Sequence, residues 1–150
     1  MEQWELVARE SIRDLVARYN ANGDSGRFDE VLQCFATDGI LDVDGVAYAG
    51  HEAIRSLFTG AASQLADWPG PVVVRHSTST LQIDIVDATY AKSRCYYTVV
   101  MNHGIDHWGR YLDEYGVVGD GRDRRWVFTH RREMLDGFTP DGWAARNQSL

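Results

Sequence analysis

Three residues of this chain combine types that acid–base chemistry needs. Tyr19 and Asp24 lie close together near the start, and His76 follows much later. A histidine held by a carboxylate is a good general base, since its imidazole can take a proton near neutral pH and the carboxylate stabilises the imidazolium that forms. A phenol beside such a pair can donate a hydrogen bond to a substrate oxygen or a leaving group. Together they indicate proton removal from a small organic molecule.

Two different kinds of element must bring these side chains together. Apolar residues at three- and four-residue steps predict an amphipathic helix over 4–20, with Tyr19 on its apolar face. Asp24 follows in the Gly-rich segment 22–26, which we expect to end the helix. His76 interrupts a β-prone run. The pair therefore needs contact between a helix end and a strand.

Each of the three residues also has a structural interpretation. A buried tyrosine on an apolar helix face is often a core residue, which fits Tyr19 equally well. Asp24 in a Gly-rich segment is compatible with a turn or with capping of a following helix. His76 is compatible with a structural histidine at the start of a strand. The residue types alone leave these alternatives open.

The remaining pattern predicts an α+β fold in one domain over 1–150. A short helix over 28–35, a tight hairpin at Asp44-Gly45 and a third helix opened by Gly50 follow the first helix. Four long β segments then complete the chain, at about 72–86, 89–101, 108–118 and 125–135. Long strands curl, so we expect a concave sheet covered by three helices, with a ligand pocket between them.

Several motifs in this order resemble the cone-shaped α+β barrel superfamily that includes scytalone dehydratase, ketosteroid isomerase and nuclear transport factor 2. They are similar to its SnoaL-like branch in particular. The motifs are Ile12-x-x-Leu15-x-x-x-Tyr19, Asp24, Phe35-x-x-Asp38-Gly39, Gly50-x-x-Ala53-Ile54, His76 and Trp126-x-Phe128-x-x-Arg131. Within that branch, the set around His76 looks most like bile-acid 7α-dehydratase and hexachlorocyclohexane dehydrochlorinase.

In those two enzymes a His–Asp dyad abstracts a proton and a leaving group departs. The resemblance implies the same roles here for His76 and Asp24, with Tyr19 and Arg131 as supporting polar groups. Because Arg131 and Arg132 are adjacent, only one of them can face inward, and the family pattern favours Arg131 if the strand carries a bulge. The expected pocket walls are Leu15, Phe28, Phe35, Leu41, Phe58, Tyr96 and Trp126.

Composition and charge limit which classes of partner and which cellular compartment we expect for this protein. The net charge of −7 argues against a nucleic-acid partner. The sequence has no apolar run of membrane-spanning length, and Cys34 and Cys95 have no CxxC partner, so we expect a cytoplasmic protein with reduced cysteines. His103-x-x-x-His107 has a metal-ligand spacing, but the two residues fall in a predicted hairpin and not on a helix, and we expect no metal and no cofactor.

We therefore predict a cofactor-independent lyase that acts by dehydratase-type elimination on a small hydrophobic alicyclic or polycyclic substrate. An isomerase or cyclase in the same pocket, a non-catalytic ligand-binding module and an oxygenase small subunit are the alternatives. We expect a homodimer or homotrimer formed through the convex face of the sheet. The tail from Phe138 to Trp143 is compatible with a lid over the pocket or with packing on a neighbouring subunit.

Overall fold

The computed structural model describes residues 1–147 as helices packed on a curved sheet. The first helix is followed by a short second one, a two-stranded hairpin, a third helix and a long antiparallel meander, and a short helix ends the described chain. The helices are α1 (Gln3–Asp24), α2 (Phe28–Gln33), α3 (His51–Ala66) and α4 (Trp143–Asn147). The strands are β1 (Phe35–Val43), β2 (Val46–Ala49), β3 (Val74–Ile85), β4 (Tyr90–Met101), β5 (Gly104–Val118) and β6 (Arg125–Phe138).

The six strands form one sheet in the order β2-β1-β6-β5-β4-β3. Every neighbouring pair is antiparallel except β1 and β6, which run parallel. The predicted α+β class, with three N-terminal helices on a strongly curved and mostly antiparallel sheet, is confirmed. The sheet does not close into a barrel, since β2 and β3 are its two end strands within residues 1–147.

Helix α1 is longer than the sequence pattern indicated. It starts at a capping box in which the Glu5 carboxylate accepts the backbone N–H of Glu2 at 2.8 Å. It continues through Asn22-Gly23 to Asp24, and the chain leaves it at Gly26, whose φ of 72° is easily reached only by glycine. Asp24 is therefore the last helical residue and does not lie in a loop.

Two strand bulges change which side chains face the helices. In β6, Phe128 and His130 pair with adjacent residues of β5, so Thr129 is the extra residue. In β5, Asp106 is extra, since Ile105 and His107 pair with adjacent residues of β4. A bulge shifts the alternation of side chains by one position. The bulge at Thr129 determines the direction of Arg131, and the bulge at Asp106 determines that of His107.

Candidate active site

A cavity of about 560 Å³ lies between α1, α3 and the concave face of the sheet. Its lining is mostly aliphatic and aromatic, with a small number of polar groups, which is the composition expected of a small-molecule pocket. Trp143 and Ala144 of α4 form part of the same wall. Of the two tail aromatics, Trp143 thus lines the cavity, whereas Phe138 is 41% exposed.

Asp24 and His76 meet at this cavity. The Nδ1 atom of His76 lies 2.6 Å from Oδ1 of Asp24, and the backbone N–H of His76 donates to Oδ2 at 2.8 Å. One carboxylate therefore binds both the ring and the main chain of His76, which determines how the ring is turned. Nδ1 is occupied by this contact, so Nε2 is the ring nitrogen left for a ligand in the cavity that His76 lines.

Tyr19 lines the same cavity from α1. Its ring is 5% exposed and packs edge-on against Phe35, Phe58 and Tyr111. Burial raises the pKa of the Tyr19 phenol well above its ordinary value, and the positive charge of Arg131 opposes only part of that rise. The phenol therefore stays protonated near neutral pH and is available as a hydrogen-bond donor.

Arg131 is fully buried and faces inward, whereas Arg132 is exposed, because of the bulge at Thr129. The guanidinium does not line the cavity. Its central carbon lies 3.6 Å from the ring centroid of Tyr111 and 4.2 Å from that of Tyr19, so both rings separate it from the ligand space. Arg131, which we expected to be a supporting polar group, therefore lies behind the cavity wall.

The partner of Arg131 is Asp113. The two residues are directly opposite each other on β6 and β5, and Nε of Arg131 lies 3.5 Å from Oδ1 of Asp113. Tyr115 donates to the other carboxylate oxygen at 3.2 Å. The register of β5 against β6 therefore gives Arg131 a carboxylate partner on the neighbouring strand.

The expected pocket walls need correction at five of seven positions. Phe28 and Phe58 line the cavity. The others do not, because their helix or strand directs them into the core or outward. Tyr96 is 54% exposed on the convex face, since alternation along β4 turns Tyr97 inward instead. The four that pack in the hydrophobic core are Leu15, Phe35, Leu41 and Trp126.

Sequence reasoning missed a second histidine of the cavity wall. His107 lines the cavity from β5, and its Nδ1 lies 2.7 Å from Oδ2 of Asp106. The bulge at Asp106 is the reason that two consecutive residues both point inward. His103 binds the other oxygen of Asp106 through Nε2 at 2.9 Å. The spacing His103-x-x-x-His107 was visible in the sequence, but it marks two imidazoles on one carboxylate.

Asp106 is fully buried and also anchors α4. The backbone N–H groups of Trp143 and Ala144 donate to its two oxygens at 2.6 and 3.0 Å. Burial by itself would raise the pKa of Asp106, but the hydrogen bonds from His107, Ala144 and Trp143 outweigh it and leave the pKa below its ordinary value. Within residues 1–147, no group of three or more His, Cys, Asp or Glu side chains is arranged to hold a metal ion.

Tyr97 is another polar residue of the cavity wall that sequence reasoning missed. It lies on β4 between the two histidines, with ring centroids 6.2 Å from His76 and 6.1 Å from His107. Its hydroxyl is buried and has no hydrogen-bond partner among residues 1–147. Gly109 makes room for it, since a Cβ atom there would lie 2.7 Å from the hydroxyl. An unpaired buried hydroxyl at a cavity wall is suited to a polar atom of a ligand.

The SnoaL-like domain family matches residues 4–132. The chain belongs to this family. The resemblance inferred from the motifs is thereby confirmed. A search of curated protein sequences found no significant match.

Within residues 1–147, no helix combines the length and the apolar composition that a membrane span requires.

Solved structures share the same fold. A candidate scytalone dehydratase from Novosphingobium aromaticivorans superposes with a TM-score of 0.77 at 20% identity, covering 93% of this chain and 91% of its own. LinA superposes with a TM-score of 0.75 at 20% identity, covering 91% of both chains. An NTF2-like protein with a cystatin-like fold, also from N. aromaticivorans, gives 0.73 at 23% identity, covering 96% of this chain and 91% of its own.

Proposed function

We propose that this protein is a cofactor-independent lyase that eliminates a leaving group from a small hydrophobic alicyclic or polycyclic molecule. The observation that carries the proposal is the contact between Asp24 and His76 at the wall of an apolar cavity. An imidazole whose Nδ1 is held by a carboxylate presents a basic Nε2 to the cavity. Such a base is suited to a C–H bond next to an electron-withdrawing carbon.

Each supporting group has a role in this reaction. His76 takes the proton through Nε2, and Asp24 orients the ring and stabilises the imidazolium that forms. The protonated Tyr19 phenol donates a hydrogen bond to a substrate oxygen or to the leaving group. Arg131 acts from behind Tyr19 and Tyr111, where its positive charge stabilises negative charge that develops on the cavity side of those rings.

The family and the neighbouring folds are consistent with this chemistry. One structural neighbour carries the name of a dehydratase, and the motifs around His76 resemble two enzymes that eliminate water or halide. We therefore propose hydroxide or halide as the leaving group. A further part of the proposal is that the protein works in the cytoplasm as a homodimer or homotrimer.

Two alternative functions remain distinguishable by experiment. An isomerase or cyclase would return the proton to the substrate, so its product would keep every atom of the substrate. A non-catalytic binding module would need no oriented base. The oriented dyad and an open cavity both favour an enzyme over a binding module.

The test uses 3-(4-nitrophenoxy)cyclohexanone, a ring ketone whose elimination releases coloured 4-nitrophenolate. The wild-type protein is expected to accelerate this release, and His76→Asn is expected to reduce the acceleration on the order of 10²–10⁴-fold, which is the range that a general base contributes. The matched control is His51→Asn at the start of α3, whose Nε2 lies 3.1 Å from the Phe35 carbonyl and outside the cavity. Equal rates for wild type and His76→Asn would contradict the proposal.

A further inference from the structure

The cavity holds two histidine–aspartate pairs, although the proposed reaction uses only one. His76 on β3 pairs with Asp24 at the end of α1, and His107 pairs with Asp106 on the same strand, β5. In both pairs Nδ1 of the ring contacts a carboxylate oxygen, at 2.6 and 2.7 Å respectively. In both pairs Nε2 is therefore the nitrogen left for a ligand.

The sheet brings the rings of His76 and His107 close together. His76 pairs with Val99 on β4, and Val99 pairs with His107 on β5, so the three residues form one row across the sheet. Residues two strands apart have backbones about 9.6 Å apart in a flat sheet. Curvature tips the two side chains toward each other, and their ring centroids lie 6.4 Å apart at an interplanar angle of 85°.

The second pair is held firmly. Asp106 is fully buried and accepts hydrogen bonds from two histidine rings and from two backbone N–H groups of α4. A buried carboxylate stabilises an imidazolium beside it. Protonated His107 carries N–H groups on both nitrogens, of which Nδ1–H is bound to Asp106 and Nε2–H is available to a ligand.

We propose that His107 is a second catalytic residue of this cavity, the acid that protonates the leaving group while His76 acts as the base. The proposal rests on the elimination function proposed above and adds a proton donor to it. Nε2 of His76 takes the proton from the carbon next to the carbonyl, and that electron pair forms the C=C bond. The C–O bond breaks toward oxygen, which takes the proton from Nε2 of His107 and departs as an alcohol or as water.

The substrate class follows from this division of labour. A leaving group that departs as a poor anion, such as hydroxide or an alkoxide, needs the proton, whereas a halide does not. The site is therefore suited to a β-hydroxy or β-alkoxy ring carbonyl compound. After each turnover His76 holds one extra proton and His107 lacks one, and exchange with solvent restores both.

The experiment uses 3-phenoxycyclohexanone in D₂O and follows two signals by NMR. One is exchange of the hydrogens next to the carbonyl for deuterium, and the other is release of phenol. The variant is His107→Asn, whose amide can still donate to Asp106 but has no group at the position of Nε2. The control is His103→Asn, which changes the other imidazole on Asp106 but lies outside the cavity lining.

We expect His107→Asn to keep hydrogen exchange while phenol release falls by about 10²-fold or more. His76→Asn should lose both signals, and His103→Asn should keep both. Equal loss of exchange and release in His107→Asn would contradict a role as acid, as would no loss in either. An effect matched by His103→Asn would show that His107 only supports α4. If His76→Asn keeps both signals, the elimination function itself is wrong, whatever His107 does.

Discussion

Both carboxylate oxygens of Asp24 bind the same residue, His76. Oδ2 accepts the backbone N–H at 2.8 Å and Oδ1 contacts ring Nδ1 at 2.6 Å, although fifty-two positions separate the two residues in the chain. The contact joins the last residue of α1 to β3. The side chain of Asp24 is only 9% exposed, so the contact is largely shielded from solvent. The position of the C-terminal end of α1 and the orientation of the His76 imidazole are thus coupled.

This coupling predicts that Asp24→Asn loses most of the activity, although the substitution is nearly isosteric. An amide has only one acceptor oxygen, so it cannot serve both donors of His76, and it carries no charge to stabilise the imidazolium. We expect kcat to fall on the order of 10²–10⁴-fold while the melting temperature changes little. The control is Asp14→Asn on the exposed face of the same helix, which should retain full activity. Steady-state kinetics with the nitrophenoxy probe would decide, and unchanged kcat in Asp24→Asn would contradict the role of Asp24.

The buried pair of Arg131 and Asp113 predicts a large effect on stability. Arg131→Met leaves an uncompensated carboxylate in the core, which should lower the free energy of unfolding by about 3–5 kcal/mol. Removing the charge as well, in Arg131→Met with Asp113→Asn, should recover most of that loss. Arg132→Met on the exposed side of β6 should change stability by less than about 0.5 kcal/mol. Urea unfolding of wild type, Arg131→Met, Asp113→Asn and the double variant measures the coupling. Additive effects of the two single substitutions would show that the charges do not interact.

Asp106 predicts a specific pH dependence of stability. Its pKa is lower in the folded protein than in the unfolded chain, so ionised Asp106 stabilises the fold above the ordinary carboxyl pKa of about 4, and this contribution is lost as the pH falls through the folded pKa. Asp106→Asn should cost about 2–3 kcal/mol near neutral pH. The difference in melting temperature from wild type should shrink between about pH 5 and about pH 2. The titratable groups that face Asp106 are the rings of His103 and His107, at 2.9 and 2.7 Å. A difference that is constant with pH would contradict this account.

The convex face of the sheet predicts self-association. Tyr96, Ile105 and Trp108 on β4 and β5 are 54%, 53% and 39% exposed, which is a large apolar area for a free surface. We expect Trp108→Arg to convert a dimer or trimer to monomers in size-exclusion chromatography with light scattering, because it buries an unpaired charge at the interface. Val7→Arg, at an exposed apolar position of α1, should leave the mass unchanged. A monomeric wild-type protein would contradict the expected oligomer.

The order of elements followed from local pattern. The three-and-four periodicity of α1, the Asp44-Gly45 hairpin and the four long β segments were all recognisable, because helix and strand periods and turn residues act over short distances. The motifs carrying Tyr19, Asp24 and His76 identified the SnoaL-like family on the same basis. These features depend on neighbours in the sequence, so the sequence alone determined them.

Which side chains reach the cavity was decided by the tertiary structure. A strand turns every second residue inward, so an error of one position exchanges Tyr96 for Tyr97, and a single bulge turns both Asp106 and His107 inward. The partner of Arg131 likewise depends on the register of β5 against β6. Strand register and bulges are set by packing between segments that are distant in the chain. They cannot be predicted from composition or from the spacing of residues. The closeness of His107 to His76 likewise depends on the curved sheet, which brings β3 and β5 to the same cavity.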